Sequence, residues 1–316
     1  MTLRQLGTTD LRVSPICLGT SALGSFPAQY GYEVDTATAV ATIREAFTSP
    51  VNFIDTSNEY GGGDSERRIG QAIRDNGGVP DGVVIATKVD PLPGSSDFSG
   101  DRVRRSVEES LERLGLDVLP LVYLHDPEKI SFEEGVAAGG PLEALLDLRD
   151  QGVITHLGVA GGPIDLELRY LATEAFDAII SHNRFTLVDQ SANPLLDDAA
   201  RRNVAFINAA PFGGGMLVKG PAAVPTYCYA PVSAATLERV TAMEQLCADF
   251  GIPLAAAALQ FSVRDHRVTS TIVGMSQPQR VRQTLDLLET FIPTELWDAL
   301  LPLAEAGRTG VETVNA

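Results

Sequence analysis

Residues 52–70 read NFIDTSNEYGGGDSERRIG and contain one complete copy of the pattern that decides the fold. A short apolar run, Asn52 to Ile54, is followed by a polar turn with three consecutive glycines. An amphipathic stretch typical of a helix, Ser65 to Arg74, comes next. A strand that leads through a short loop into a helix is the building unit of a parallel sheet.

The same unit recurs from one end of the chain to the other. Eight apolar runs predict strands: Ile16 to Leu18, Asn52 to Ile54, Val83 to Thr87, Leu119 to Leu124, Thr155 to Val159, Ala178 to Ile180, Val204 to Asn208 and Thr271 to Val273. Helical patterns lie between them, for example Thr36 to Phe47, Ser65 to Arg74, Asp101 to Leu114, Leu142 to Arg149, Asn193 to Arg202 and Ala234 to Phe250. Eight strand–helix units in a row predict an α/β fold, a closed (β/α)8 TIM barrel.

Both ends of the chain carry additional elements. The segment LRQLGTTDLRVSP predicts a hairpin around Gly7 to Asp10, which would plug the lower end of the barrel. The apolar stretch Phe291 to Leu303 predicts an extra C-terminal helix on the outside of the barrel or over its mouth. A chain of 316 residues is long enough for two domains, but every Gly/Pro cluster lies in a strand-to-helix connection. We therefore expect residues 1–316 to form a single domain.

Composition narrows the possible partners. The formal net charge is −17 and 44% of the residues are hydrophobic, which indicates a folded globular protein. A negative surface repels phosphate backbones and anionic lipids, so we expect a small-molecule substrate and neither nucleic acid nor membrane. The opening residues contain no apolar signal core, which predicts a cytoplasmic protein. We expect it to be a monomer or a homodimer. Cys17, Cys228 and Cys247 should be reduced, with Cys17 and Cys247 in packed positions.

Four polar side chains follow the apolar runs of the second, third and fourth units. Asp55, Lys88 and His125 stand at the ends of predicted strands, and Tyr60 lies in the loop after the second. Each alone has a structural explanation, such as a capped turn or a snorkelling lysine. Together they would meet at the carboxyl end of a barrel, where reactive groups gather. A lysine paired with an aspartate beside a tyrosine should lower the tyrosine's pKa and make it a proton donor and acceptor.

Metal catalysis is the alternative use of Asp55 and His125. It would need several histidines, and the other three, His156, His182 and His266, form no HxH or HExxH pattern. We therefore expect no metal.

The combined motifs resemble one family. DTSNEYGGGDSERRIG (residues 55–70), TK (87–88) and LVYLHD (121–126) resemble the aldo-keto reductases, and the opening LRQLGTTDLRVSPICLGT is similar to that family's. The resemblance implies a nicotinamide-dependent oxidoreductase on a TIM barrel. Tyr60 would be the general acid or base, Lys88 would tune it while paired with Asp55, and His125 would bind and orient the substrate oxygen.

The cofactor would lie across the barrel mouth, because no GxGxxG follows the first strand. The resemblance implies that contacts to it come from Gly19, Thr20, Ser21, Asp55, Ser181 or His182, Phe212, Gly213, Gly215, Gly274 and Arg280. The glycines of PFGGGML (residues 211–217) would bring backbone amides close to the pyrophosphate, although a mere surface turn is the alternative. NADP-preferring members of the family bind the 2′-phosphate with several residues, and only Arg280 matches one of them. We therefore favour NAD as the cofactor, with NADP as a close alternative.

Several positions depart from the family pattern. Ala160 and Gly161 replace a Ser-Asn pair, and Ala209 replaces an aromatic residue. SHNRFTLVDQ and PFGGGML resemble dehydrogenases of the D-threo-aldose (L-fucose), L-galactose and pyridoxal 4-dehydrogenase branch, which implies oxidation of a sugar hemiacetal to a lactone. The alternatives are a broad aldehyde and ketone reductase, or a slow redox-sensing subunit.

Substrate contacts should come from Tyr60, His125, Phe212 and the long loops. These loops are Ser21 to Asp35 with Phe26, Tyr30 and Tyr32, Asp126 to Gly140, and Lys219 to Pro231 with Tyr227 and Tyr229. Tyrosines present an apolar face and a hydroxyl, which suits a sugar ring or a pyridine.

Overall fold

A closed ring of eight parallel strands is the centre of the computed structural model, which describes residues 1–25, 27–228 and 230–311. The strands are β1 (Arg4–Gln5), β2 (Arg12–Val13), β3 (Ile16–Gly19), β4 (Phe53–Asp55), β5 (Val84–Val89), β6 (Leu119–His125), β7 (Ile154–Gly161), β8 (Ala178–His182), β9 (Ala205–Ala209), β10 (Thr226–Tyr227), β11 (Ala230–Pro231) and β12 (Val268–Gly274). The ring runs β3 to β9 in order and closes through β12, which pairs with both β9 and β3. The predicted TIM barrel and its eight strands are confirmed.

Helices surround the ring. They are α1 (Pro27–Tyr30), α2 (Thr36–Phe47), α3 (Asp64–Asn76), α4 (Gly100–Leu114), α5 (Phe132–Val136), α6 (Pro141–Asp150), α7 (Ile164–Leu171), α8 (Asn193–Arg202), α9 (Met216–Lys219), α10 (Ala234–Asp249), α11 (Leu254–Arg264), α12 (Pro278–Glu289) and α13 (Thr294–Glu305). Three 3-10 turns cover Ser21–Gly24, Pro127–Lys129 and Gly213–Gly215. Several helices begin at a side-chain cap, as Asp35 does for α2 and Ser99 for α4.

The strands are buried on both faces, because alternate residues point into the ring and toward the helices. Phe53 and Tyr123 belong to the cluster inside the ring, while Ile54 and Val122 pack into the outer core. Cys17 and Cys247 are buried, as expected, and all three cysteines are free thiols.

The N-terminal hairpin closes the amino-terminal end of the ring. β1 and β2 pair antiparallel, with Arg4 opposite Val13, and Leu6 and Val13 are buried in the cluster inside the ring. Gly7 has a φ of +58°, and a Cβ there would lie 2.8 Å from the Asp177 carbonyl oxygen. The turn therefore needs a glycine both for its backbone angle and for its close approach to the barrel.

The C-terminal helix packs on the outside of the barrel against α10. It buries Leu296, Leu300 and Ala304. The Arg264 guanidinium stacks over the Trp297 ring, 4.2 Å from its centroid. Among the described residues, no single helix could cross a membrane; α10 and α11 together have enough length and apolar character but are bent by 101°.

A short hairpin of β10 and β11 was not predicted from the sequence. It lies in the loop between α9 and α10, and it carries Tyr227 onto Gly213, where a Cβ would be 2.4 Å from the ring. Tyr227 is buried, and its hydroxyl donates to the Asn183 carbonyl oxygen at 2.6 Å. Each strand has only two residues, too few for a periodic pattern to be visible.

Tyr123 offers a test of packing inside the barrel. Its ring is fully buried, and its hydroxyl has no hydrogen-bond partner within the part of the chain that the structure describes. Because a buried unpaired hydroxyl is destabilising, Tyr123→Phe should raise the free energy of unfolding by about 1 kcal/mol in urea denaturation.

Tyr227→Phe is the matched control with the opposite expected sign. Its hydroxyl lies 2.8 Å from Thr186 Oγ1 and also donates to Asn183, so removing it should lower the free energy of unfolding by about 1 kcal/mol. A loss of stability in Tyr123→Phe as large as in Tyr227→Phe would contradict this account of the barrel interior.

Candidate active site

Neighbouring parallel strands deliver the candidate residues to one edge of the barrel. Asp55 ends β4, Lys88 is near the end of β5 and His125 ends β6, and the register places Asp55 opposite Ala86 and Lys88 opposite Tyr123. Tyr60 lies in the turn after β4, where its amide donates to the Ser57 carbonyl oxygen at 3.2 Å. Gly61 next to it, with a φ of +65°, packs backbone to backbone against Gly24. This contact ties the tyrosine's turn to the loop after β3.

The four side chains form one cluster around the Lys88 ammonium. Lys88 Nζ lies 2.6 Å from Asp55 Oδ1, 2.7 Å from the Thr56 carbonyl oxygen and 3.1 Å from the Tyr60 hydroxyl. The rings of Tyr60 and His125 meet edge to face with centroids 5.9 Å apart. A phenol and an imidazole thus lie side by side, and the buried ammonium lies behind the phenol.

The Lys88–Asp55 pair is almost fully buried, with side-chain exposures of 2% and 4%. Burial by itself lowers the pKa of Lys88, but Asp55 and Tyr60 outweigh it, so the pKa is raised and the ammonium stays charged. Burial raises the pKa of Asp55, and Lys88 opposes that shift. The charged lysine is therefore a fixed feature of the site at neutral pH.

The pKa of Tyr60 differs from the sequence-based prediction. Burial raises the pKa of its phenol well above the ordinary value, and the opposing effect of Lys88 compensates only in part. The net shift is opposite to the lowering predicted from the sequence, because the sequence shows the neighbouring cation but not the depth of burial. Tyr60 is held as a neutral phenol, a form that donates a proton.

Two residues behind His125 were missed by sequence reasoning. Asp90 Oδ1 lies 2.5 Å from His125 Nδ1, and Asp90 Oδ2 accepts a hydrogen bond from the Ser57 hydroxyl. The sequence contained a signal for both residues: Ser57 follows Asp55 by two positions, and Asp90 follows Lys88 by two positions. Residues two apart on an extended chain face the same side, so both could have been expected at the site.

The end of β3 and the segment that follows it, up to the end of α1, hold four of the predicted contacts. Gly19 pairs with Asp55 on one side and with Gly274 on the other. The Thr20 hydroxyl donates to the Asp55 carbonyl oxygen at 2.8 Å and accepts from Ser65, so it braces the loop. Ser21 Oγ lies 2.7 Å from the Tyr30 hydroxyl, which brings these two predicted residues together.

Two carboxyl groups that the sequence analysis did not select, Glu167 of α7 and Glu128 after β6, lie beside the ends of β7 and β8. Ser181 is buried beside the carboxyl of Glu167, whereas His182 is exposed. Gly161 donates to Glu167 at 3.3 Å and Gly162 donates to Glu128 at 3.2 Å. Burial raises the pKa of Glu167 well above its ordinary range. The sequence signal for Glu167 was its place on the apolar face of α7, the face that also carries the buried Tyr170 three positions later.

The glycine loop after β9 is a tight turn. Phe212 is half-buried, and Gly213, Gly214 and Gly215 all have positive φ. The amides of Gly213 and Gly215 donate to the carbonyl oxygens of Ala210 and Phe212 within the turn. In this conformation those two amides are engaged, and Gly213 is buried against Tyr227 whereas Gly214 is exposed.

The last predicted contacts lie beyond β12. Gly274 is exposed, with no atom within 4 Å of the position of a Cβ. Arg280 is exposed in the first turn of α12, whereas Arg282 pairs with Asp286 at 2.7 Å and with Glu289 at 3.4 Å. Arg280 is thus the less engaged of the two cations.

Acidic side chains surround the mouth near His125. Lys129 Nζ lies 3.3 Å from Asp126 and 3.4 Å from Glu59, and Asp126 Oδ1 lies 3.5 Å from His125 Nε2. Two of the aromatic residues expected to contact substrate, Phe26 and Tyr229, lie outside the described residues. Within the described ranges, no group of three or more His, Cys, Asp or Glu side chains has the arrangement of a metal site.

Comparisons with known proteins agree with this geometry. The model of the "Aldo/keto reductase family" matches residues 15–303. L-galactose dehydrogenase from Arabidopsis thaliana is 33% identical over 90% of this chain and 86% of its own length. Pyridoxal 4-dehydrogenase from Microbacterium luteolum is 29% identical over 94% and 96%, and D-threo-aldose 1-dehydrogenase from a Pseudomonas species is 29% identical over 83% and 86%.

A solved structure supports the fold. The holo form of aldo-keto reductase AKR11C1 from Bacillus halodurans superposes with a TM-score of 0.79 at 21% identity, covering 98% of this chain and 99% of that one. The family model spans most of the chain, and the predicted resemblance to the aldose, galactose and pyridoxal dehydrogenases is confirmed. This chain therefore belongs to the aldo/keto reductase family and is an oxidoreductase.

Proposed function

We propose that the protein is an NAD(P)-dependent dehydrogenase that oxidises the hemiacetal of an aldose, or a related alcohol, to a lactone or carbonyl compound. The observation that carries this proposal is the Tyr60 hydroxyl 3.1 Å from a buried, charged lysine, with the His125 ring edge-on beside it. This arrangement provides a proton donor and a hydrogen-bond donor for one substrate oxygen.

Each polar residue then has a separate task. Tyr60 exchanges a proton with the substrate oxygen, and Lys88 stabilises the phenolate that remains when Tyr60 has given its proton away. Asp55 keeps Lys88 charged and in place through its 2.6 Å contact. His125 binds the substrate oxygen and so orients the reacting carbon.

The residues present fit a nicotinamide cofactor. Asp55 Oδ2 is buried without a hydrogen-bond partner among the described residues, so an acceptor remains for a ribose hydroxyl. Gly19, Thr20, Ser21, Ser181 and His182 would hold the nicotinamide end, and Phe212, Gly213 and Gly215 would hold the pyrophosphate. The cofactor supplies hydride acceptance, which side chains cannot provide.

The residues that would bind the adenosine part of the cofactor favour NAD over NADP in this proposal. A 2′-phosphate needs several donors, and Arg280 is the candidate cation there. Arg282 is engaged with two carboxylates, and Met275 next to Gly274 is fully buried. We therefore infer that NADP binds more weakly than NAD.

The mouth favours an uncharged substrate. Glu59, Asp126 and Glu128 lie around it with Lys129 as their nearby counter-charge, and this field disfavours phosphorylated sugars. Tyr30 beside Ser21 supplies a ring and a hydroxyl for a sugar. The names of the dehydrogenase relatives point to the same class of substrate.

One observation favours a second function, the reduction of aldehydes and ketones. Tyr60 is held as a neutral phenol, and a neutral phenol suits proton donation to a carbonyl oxygen. Initial rates for sugars, pyridoxal and simple aldehydes, with NAD and NADP in both directions, distinguish the two functions. Aldehyde reduction much faster than oxidation of every sugar would overturn the dehydrogenase assignment.

The Tyr60 hydroxyl should be indispensable for turnover. Tyr60→Phe removes the proton donor and acceptor, so we expect kcat to fall by at least about 100-fold. Cofactor affinity, measured by isothermal titration calorimetry, should stay within a few-fold of the wild-type value. Tyr170→Phe is the matched control and should retain most of the activity, because Tyr170 packs in the outer core and exchanges no proton. Wild-type kcat in Tyr60→Phe would remove Tyr60 from the mechanism.

The Lys88–Asp55 pair should show strong coupling in stability. Lys88→Met leaves an unpaired buried carboxylate and should lower the free energy of unfolding by about 3–5 kcal/mol. Adding Asp55→Asn removes that charge, so the double variant should be more stable than the sum of the single losses by about 1–3 kcal/mol.

The exposed pair Arg67–Asp64 is the control for this cycle. Its atoms are 2.8 Å apart but its side chains are 52% and 50% exposed. An exposed pair should couple by less than about 1 kcal/mol in urea denaturation. Equal coupling in the two cycles would mean that burial does not strengthen the Lys88–Asp55 pair.

A further inference from the structure

Asp90 is a buried carboxylate in contact with the ring of a proposed active-site residue, His125. Its side chain is fully buried, and its Oδ1 lies 2.5 Å from His125 Nδ1. Its other oxygen, Oδ2, accepts from the Ser57 hydroxyl and from the Glu59 amide at 3.1 Å. The carboxylate is thus held from one side by donors of the turn after β4, and it presents its free oxygen to the imidazole.

Among the described residues, no cation other than the His125 ring is paired with the Asp90 carboxylate. Arg102 donates from Nε to the backbone oxygen of Asp90 at 3.1 Å, and its guanidinium pairs with Glu109. Lys88, the preceding cation on β5, is engaged with Asp55 and Tyr60. Ser57 and Glu59 donate to Oδ2 but carry no positive charge there, so the His125 ring at Oδ1 is the group placed to neutralise this buried carboxylate.

We propose that Asp90 is a positioning residue that holds His125 as a doubly protonated imidazolium, with Nδ1–H bound to Asp90 and Nε2–H left for the substrate oxygen. The inference rests on the proposed function and adds a residue and a charge state to it. A carboxylate is an acceptor only, so Nδ1 must carry the proton, and the second proton of the charged ring then sits on Nε2.

Every neighbouring element contributes to the charge of this ring. The groups that face it are Lys88 from β5, Ser57 and Tyr60 from the turn after β4, Asp90 after β5, Asp126 and Glu128 after β6, and His182 from β8. Asp90 and Asp126 favour the charged ring and Lys88 opposes it. Asp126 is 31% exposed and shares its charge with Lys129 at 3.3 Å, so the buried Asp90 is the stronger of the two carboxylates.

The pKa directions agree with this charge assignment. Burial by itself lowers the pKa of His125, and Asp90 outweighs it, so the pKa is raised. Burial by itself raises the pKa of Asp90, and His125 and Ser57 outweigh that effect and hold it at about 2. A raised histidine pKa means that the imidazolium persists to higher pH and is lost only as the pH rises through the raised value.

A charged donor at this position acts in both directions of the reaction. In oxidation, the Tyr60 phenol would first release its proton to solvent, the resulting phenolate would take the O–H proton, and a bound nicotinamide would accept the hydride of the C–H bond as the C=O bond forms. Negative charge on the substrate oxygen is largest after the proton has left and before the hydride departs, and an Nε2–H from a cation stabilises it more than a neutral donor would. In reduction, the same donor polarises the carbonyl before Tyr60 gives its proton.

Nitrogen NMR of the protein alone measures the proposed state directly. The chain has four histidines, so the ¹⁵N signals of His125 can be identified by their loss in His125→Asn. We expect both ring nitrogens of His125 to be protonated at pH 7.5. A neutral His125 ring at that pH in the wild-type protein would overturn the proposal, even if no Asp90 variant folds.

Two matched variants assign the effect to Asp90. Asp90→Asn should lower the pKa of His125 by at least about 1, the shift typical of losing an opposite charge in contact. Asp126→Asn removes a carboxylate 3.5 Å from the other ring nitrogen and should lower it by less. A shift in Asp126→Asn equal to or larger than that in Asp90→Asn would contradict the assignment.

Kinetics separate positioning from folding. Asp90→Asn should lower kcat about 100-fold at pH 8. The deficit relative to wild type should shrink at pH 5.5, where the solution recharges the imidazole, whereas a misfolded site would keep the same deficit. A pH-independent deficit would overturn the inference. Wild-type protein without turnover on any sugar or aldehyde would instead refute the proposed function, and the NMR result would still stand.

Discussion

The buried ion pair between Lys88 and Asp55 is the constraint on which the site depends. Both groups are almost excluded from water, at a contact of 2.6 Å, so neither can leave without stranding the other as an unpaired buried charge. The ammonium has two more acceptors, the Thr56 carbonyl oxygen and the Tyr60 hydroxyl. The position of the phenol is therefore set by a cation that the barrel itself fixes, since Asp55 and Lys88 stand on neighbouring parallel strands.

A second carboxylate lies two residues after Lys88 and supports the other half of the site. Asp90 contacts His125, and Ser57, two residues after Asp55, contacts Asp90. Because residues two apart on an extended chain face the same side, the ends of β4 and β5 each present two polar groups to the mouth. The result is two charge pairs side by side, one behind the tyrosine and one behind the histidine. In the proposed mechanism, this arrangement places a neutral proton donor and a charged hydrogen-bond donor near one substrate oxygen.

The sequence predicted much of this structure, for identifiable reasons. The strands were visible because buried parallel strands read as continuous apolar runs, and α2 and α8 were predicted with their observed bounds because their amphipathic patterns are regular. Asp55, Lys88 and His125 stood out because a polar residue at the end of an apolar run is unusual. Asp90, Glu128 and Glu167 were overlooked because carboxylates in loops and helices are ordinary in sequence. Their burial arises only when distant segments pack over them.

By itself, the sequence determined the barrel, the order of its strands and the end at which its polar groups gather, because periodicity and strand polarity are local properties of the chain. Only the tertiary structure decided how those groups are charged. The pKa of Tyr60 is raised and not lowered, because burial by the surrounding loops outweighs the ammonium beside it. The partner of His125 is Asp90, a contact between residues 35 positions apart that no local pattern encodes. Protonation depends on distances and solvent exclusion, and those exist only in the folded chain.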